Sequence, residues 1–266
     1  MKFIKVYQTL ASVLSVCLIA ATLTAQTVTA PAAAAQSTRA QQTRKGAKLP
    51  SAKKIFDDFT KATGGRRVMG KFTSRVSTGT VELAPMGARG TITITQKAPN
   101  KLLTTMALTG LGEFQSGFDG KIGWSKDSIN GLRELTAGEL SATRRGAQFN
   151  QADMSKMYSR TTVTGRDKVG DREVYVVEAV PTEGGAPVKM YFDVQNGLML
   201  RVDSVTESPQ GKISVQSYLE DYRAVDKIKM PFTLRQVIGP TTIIMRFTEI
   251  KHEAAVNDTL FVKPAA

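Results

Sequence analysis

Two residue types that build reactive centres are almost missing from this chain. Among its 266 residues there is one cysteine, Cys17, and one histidine, His252. A Cys–His pair cannot form without a cysteine in the body of the chain, and no zinc site of the common Cys/His types can be assembled from one imidazole. A Ser–His–Asp triad would have to recruit His252, which follows Ile250-Lys251 at an expected strand end and lacks a neighbouring nucleophile motif. His252 is therefore expected at the surface. The carboxylate pairs Asp57-Asp58 and Glu220-Asp221, and Asp203, adjoin basic residues and read as solvated faces. No glycine-rich segment leads from a strand into a helix to cradle phosphate. These absences point away from an enzyme, a metal or a cofactor.

Long apolar runs are scarce too, and the one near the start is short. Lys2 and Lys5 precede Leu10–Leu23, fourteen apolar or small residues, followed by alanine-rich sequence. A membrane span needs about 20 such residues, whereas this order is that of a secretory signal peptide. Residues 1–35 are read as that signal, with cleavage after Ala25 or after Ala35; Pro31 disfavours cleavage after Ala30. Cys17 lies inside the apolar run behind Val16, where a lipoprotein signal would want a small residue. An exported chain without disulfides must rely on its core, which suits a bacterial periplasm or exterior. The net charge is +13, of which Lys2 and Lys5 supply two, leaving +11. That balance favours anionic partners such as a membrane surface, and export argues against nucleic acid.

Residues 36–50 have no hydrophobic period and read as a linker. Ser51 caps a helix whose stripe is Ile55, Phe56, Phe59 and Ala62, ended by Gly64-Gly65. From about residue 72 the period becomes two, as in Thr91–Thr95, Val188–Val194 and Ile228–Arg235, with turn signals between. About ten antiparallel strands with one wet face are expected. Pro231 places its strand at an edge or a bulge. Thr136-Ala-Gly-Glu139 forms a capping box and opens a helical insert at 136–158, which divides the strands into an early half (72–135) and a late half (161–253). The whole of 51–266 reads as one domain, a mainly β open half-barrel closed by the N-terminal helix and the insert.

Such a sheet must bury its apolar face, and few helices are available to cover it. An interior larger than the helices can fill would hold a ligand. Met106, Met190 and Met230, with Phe192 and Phe232 in the same inward series, are candidate ligand contacts, because methionine adapts to irregular apolar shapes. Met154, Met157 and Tyr158 give the insert an apolar surface, which makes it a candidate lid. The stretch Gly117-Phe-Asp-Gly-Lys-Ile-Gly-Trp124 reads as a hairpin. A two-residue Asp119-Gly120 loop would set Trp124 opposite Gln115. A three-residue loop would set it opposite Phe114, and Phe114, Ile122 and Trp124 would then share the apolar face, the more economical burial.

Several short elements together resemble the bacterial outer-membrane lipoprotein-sorting, or lipoprotein-carrier (LolA-like), superfamily. They are Phe118–Trp124 with its DGK-x-x-W pattern, Tyr191–Arg201 with its strand, Asp turn, Gly-Leu and Arg, the helix end Ala62–Gly65, and Lys229-Met-Pro-Phe232. The resemblance covers about residues 51–263. It implies an antiparallel half-barrel that holds acyl chains or another lipid in the periplasm, with an envelope protein as partner. The alternative is a structural or sensory envelope module whose interior is packed and empty of ligand.

Overall fold

The computed structural model describes residues 48–208 and 211–265; the expected signal peptide, and most of the expected linker, lie outside them. Helix α1, Ala52–Ala62, starts where the Ser51 hydroxyl accepts from the Lys54 amide. It buries Ala52, Ile55, Phe56 and Phe59. The Gly64-Gly65 stop sits at positive φ, and a single helical turn, α2 (Arg66–Met69), follows.

The thirteen strands among the described residues form one antiparallel sheet, three more than the sequence suggested. The early half is β1 (Ser74–Ala84), β2 (Ala88–Lys97), β3 (Lys101–Leu108), β4 (Gly112–Phe118), β5 (Gly123–Asp127) and β6 (Gly131–Glu134). The late half is β7 (Tyr158–Val169), β8 (Arg172–Pro181), β9 (Val188–Asp193), β10 (Met199–Ser208), β11 (Gly211–Val225), β12 (Ile228–Ile238) and β13 (Thr241–His252). The strand order is 6-5-4-3-2-1-13-12-11-10-9-8-7, so each half is a simple meander and β1 pairs with β13 at the join. The sheet is open: β6 and β7 are its two edges. This is the expected half-barrel.

That order decides where the insert runs. The chain leaves one edge at Glu134 and re-enters the sheet at the other at Tyr158, so the connection must cross the opening. It does so as helix α3, Ala137–Ala147, and a 3-10 helix, Gln151–Met157. The expected capping box is present at Thr136 and Glu139. Glu139 is fully buried, and both its oxygens accept from Arg133 of β6 at 2.8 and 2.9 Å. Burial alone would raise the Glu139 carboxyl; the Arg133 and Thr136 hydrogen bonds outweigh it and hold the group below its usual range.

Alternation sets one apolar face of the early half and the join inward. Val81, Leu83, Ile92, Met106, Phe114, Ile243 and Met245 form a dry cluster at one end of that face. A second cluster lies beneath α1, where Phe56 and Phe59 meet the Phe192 ring edge-on at 5.7 Å beside Met190 and Met154. Pro231 behaves as its chemistry demands. The β12–β13 ladder ends at Thr233, and on the other side the β11 ladder skips past Asp221, which has φ 53°.

The hairpin at Trp124 has neither expected register. Phe118 pairs with Gly123 and Gly117 with Trp124, leaving a four-residue loop, 119–122. Asp119 makes this loop, because its Oδ1 accepts from the amides of Lys121 and Ile122, both at 2.7 Å. Trp124 therefore faces away from Phe114, on the outer side of the sheet. Its indole covers Gly117, where a Cβ would come within 2.3 Å of the ring. Ile122 sits in the loop, 44% exposed.

A C-terminal strap covers Trp124. Residues 253–265 run back over the outer face at the ends of β1–β5. Ser74 Oγ donates to the Ala254 carbonyl, and Lys97 and Lys101 pair with Asp258 at 2.7 and 2.8 Å. The Trp124 indole donates to the Phe261 carbonyl at 2.9 Å, with Phe261 itself fully buried. No helix among the described residues is long and apolar enough to cross a membrane.

Candidate functional site

Where α1, α2 and the insert meet the sheet, the inner face is hollow. The cavity there has a volume of about 220 Å³ and is walled by α1, the insert and strands β1, β2 and β10–β13. Its apolar lining includes Phe59, Ile94, Phe149, Met199, Leu219 and Met230. The insert forms the cover. The Phe149 amide donates to the Pro99 carbonyl at 3.1 Å, and Thr60 Oγ1 donates to the Ala152 carbonyl at 3.3 Å.

Three polar side chains enter this lining in one row. The register sets Arg75 of β1 opposite Gln96 of β2 on one side and His252 of β13 on the other. Directly opposed residues lie about 5 Å apart at Cβ, so the three groups act on the same small volume. Arg75 Nε donates to Gln96 Oε1 at 3.1 Å and Nη2 donates to the same oxygen; Nη1 approaches Met230 Sδ at 3.5 Å. The guanidinium also lies 5.3 Å from the centre of the Phe149 ring. Gln96 is itself oriented by its amide, which donates to the Gly146 carbonyl of the insert at 3.4 Å.

Arg75 has no carboxylate partner among the described residues. Burial away from water lowers its guanidinium to about 10, and no acid offsets this. It remains charged at neutral pH. Arg75 is half-buried, so the cost of leaving its charge uncompensated is smaller than the several kcal/mol of a fully enclosed cation, but it still falls on the fold.

His252 was expected at the surface, yet its side chain is 1% exposed. The ring stacks on Phe72 with centroids 4.4 Å apart, and Nδ1 lies 3.0 Å from Asp226 Oδ2. A carboxylate only accepts, so this contact assigns the proton to Nδ1. Nε2 is then the remaining polar atom, buried with no partner among the described residues. Tyr222, also in the lining, is satisfied: its hydroxyl donates to the Met199 carbonyl at 2.8 Å, and burial pushes it well above the ordinary tyrosine range.

The residues singled out in the sequence do not come together here. Met230 lines the cavity. Met106 and Phe114 belong to the dry cluster at the other end, Met190, Phe192 and Met154 pack beneath α1, and Phe232 is buried with the Arg223 guanidinium 4.6 Å from its ring centre. Met157 and Tyr158 are half-buried at the end of the insert. Ile122 and Trp124 are outside altogether. The polar row drew no notice because charged and amide side chains on a strand are ordinarily outward; the cue was Arg75 sharing parity with Val81 and Leu83 along β1, and Gln96 with Ile92 and Ile94 along β2, the two strands pairing without a bulge.

Three solved structures share this architecture. They are a LolA superfamily protein from Nitrosomonas europaea (TM-score 0.56, 13% identity, 81% of this chain and 99% of that one), a DUF1329 family protein from Desulfovibrio piger (0.55, 10%, 79% and 96%) and a domain assigned to outer membrane lipoprotein sorting from Vibrio parahaemolyticus (0.52, 12%, 78% and 94%). The chain has a LolA-like fold. At these identities the likeness speaks for the fold alone. No family model and no curated protein matches the sequence.

Proposed function

We propose that this protein binds an apolar chain, of a lipid or of an acylated protein, in the cavity between the sheet and its helical cover, and carries it in the cell envelope after export. The observation that carries this reading is the hollow itself. Interiors are normally packed with few voids larger than a water molecule, yet here a half-barrel with a dry end keeps an apolar hollow at the other. At about 220 Å³ the hollow is smaller than the roughly 300–1,000 Å³ of typical ligand pockets. A whole lipid would need the insert to shift, and beyond its anchor at the Arg133–Glu139 pair the insert is suited to that: there it meets the early strands, α1 and α2 through a few hydrogen bonds, the exposed Arg66–Asp153 pair and one cluster of side chains.

Native mass spectrometry and solvent extraction of the purified protein test the reading. Co-purifying lipid, lost after delipidation and regained on addition of acyl chains, is the expected result. A protein that is ligand-free and takes up no amphiphile would favour a packed structural or sensory module instead. Hydrogen exchange gives a second measure: residues 136–158 open faster than the central strands and slow down when lipid is bound.

A further inference from the structure

We infer that the row Arg75–Gln96–His252 is a headgroup site selecting an anionic lipid, one whose carboxylate or phosphate meets Arg75 while its chain fills the apolar part of the cavity. The inference rests on the lipid-binding reading above and names the class of lipid.

Two independent observations point to a ligand, and the first of them to an anion. The first is the unpaired charge. Among the described residues Arg75 has only neutral acceptors, Gln96 Oε1 and Met230 Sδ, although 23 acidic residues were available to the sequence. Five N–H donors are fixed in a planar fork, and three of them are spent on those two atoms, which leaves donors for two oxygens of a ligand. Arg75 is half-buried, charges drawn out of water are ordinarily paired, and a ligand that brings the missing charge would remove the penalty. The second is His252 Nε2, a buried polar atom with no partner, on a ring fixed by Phe72 and Asp226 and facing the same cavity. With the proton on Nδ1, Nε2 accepts from a hydroxyl on the ligand.

The surroundings supply the rest. The remaining lining is largely apolar, so a chain attached to that anion has somewhere to go. A free anion would leave that part of the cavity unfilled. The Gln96 bond to Gly146 also ties the headgroup site to the insert: a ligand oxygen that displaces Gln96 from Arg75 acts directly on the helix that covers the cavity.

The test is a calorimetric titration of the purified, delipidated protein with four probes of one chain length: dodecanoate, dodecyl phosphate, dodecanol and dodecyltrimethylammonium. A charge-assisted hydrogen bond contributes about 1.5–3 kcal/mol, so the two anions bind about 10- to 100-fold tighter than the alcohol, and the cation binds weakest. Arg75→Met abolishes that preference and leaves dodecanol binding in place. Arg75→Lys, which keeps the charge and loses the fork, retains part of it. Equal binding of dodecanol and dodecanoate by the native protein would overturn the headgroup site and leave the lipid cavity standing. Failure of all four probes would overturn both. Inorganic phosphate binding as tightly as dodecyl phosphate would show a plain anion site and remove the lipid from the proposal.

Discussion

At one end of β1, Val81 and Leu83 are sealed among Ile92, Ile243 and Met245; eight residues back along the same strand and the same face, Arg75 borders a hollow. The two ends share a strand, a sheet and an unbroken register against β2, with one register shift against β13 along the way, and differ in what the side chains leave between them. The sealed end holds itself together by burial. The hollow end cannot, and it is braced from both sides: inside by α1 and the insert, anchored through Glu139 on Arg133, and outside by the C-terminal strap, anchored through Phe261 on Trp124. The lesson is that a sheet can keep a cavity if elements outside its own core take over the work of holding the strands.

Substitutions should therefore cost very different amounts at the two ends. Leu83 is fully buried in the dry cluster, and Leu83→Ala should lower stability by about 3–5 kcal/mol, since a new void opens where none existed. Met230→Ala, beside a void that already exists, should cost about 1 kcal/mol. Denaturant unfolding with unchanged m-values measures both. Equal costs would mean that the hollow is filled and packed in solution. The outer brace comes next in size. Phe261→Ala should cost about 2 kcal/mol, less than a central core deletion because the strap can peel away alone, and Trp124 emission should move to the red as its cover leaves.

The third effect has the opposite sign. A base whose folded-state pKa is depressed penalises the fold wherever it stays protonated, that is below about pH 10 for Arg75. Arg75→Met should therefore stabilise the ligand-free protein at neutral pH by on the order of 1 kcal/mol, since the side chain is half-buried and solvent screens it, whereas Leu83→Met at the sealed end should not stabilise. Loss of stability on Arg75→Met would show that the guanidinium is a structural tie.

Much of this plan was legible in the residues. Period-two alternation and the turn residues yield an antiparallel sheet, Thr136 and Glu139 announce the insert, and the scarcity of helices implies an opening. The strand pairing at Trp124 was not legible from Asp119-Gly120 alone, because the loop is set by the Asp119 carboxylate rather than by the glycine. The same device recurs: Asp127 accepts from the amides of Ile129 and Asn130, and Asp193 from those of Gln195 and Asn196. An aspartate at the end of a strand, followed by a loop, is the signal to read. His252 could not be placed from local sequence either, since its burial depends on Phe72, far along the chain, and on Asp226 from the adjoining β-turn.

The smallest effect separates the outer brace from the inner one by pH. Hydrogen bonds from Lys101 and Lys97 hold the Asp258 carboxyl down at about 2, below its usual value near 3.8. A carboxyl depressed in the folded state contributes stability above its unfolded pKa and loses it as pH falls through the folded one. This contribution is therefore whole above about pH 4 and gone near pH 2. The pair is exposed to solvent and salt weakens it, so the change is small and local to the strap. Trp124 emission should shift to the red between pH 4 and 2 before far-UV dichroism changes, and 0.5 M salt should raise the midpoint. Asp258→Asn should remove that early step while leaving amphiphile binding at neutral pH as it was. An early step that survives Asp258→Asn would place the acid-sensitive contact elsewhere, with the buried Glu139 of the insert, also held below its usual range, as the next group to replace.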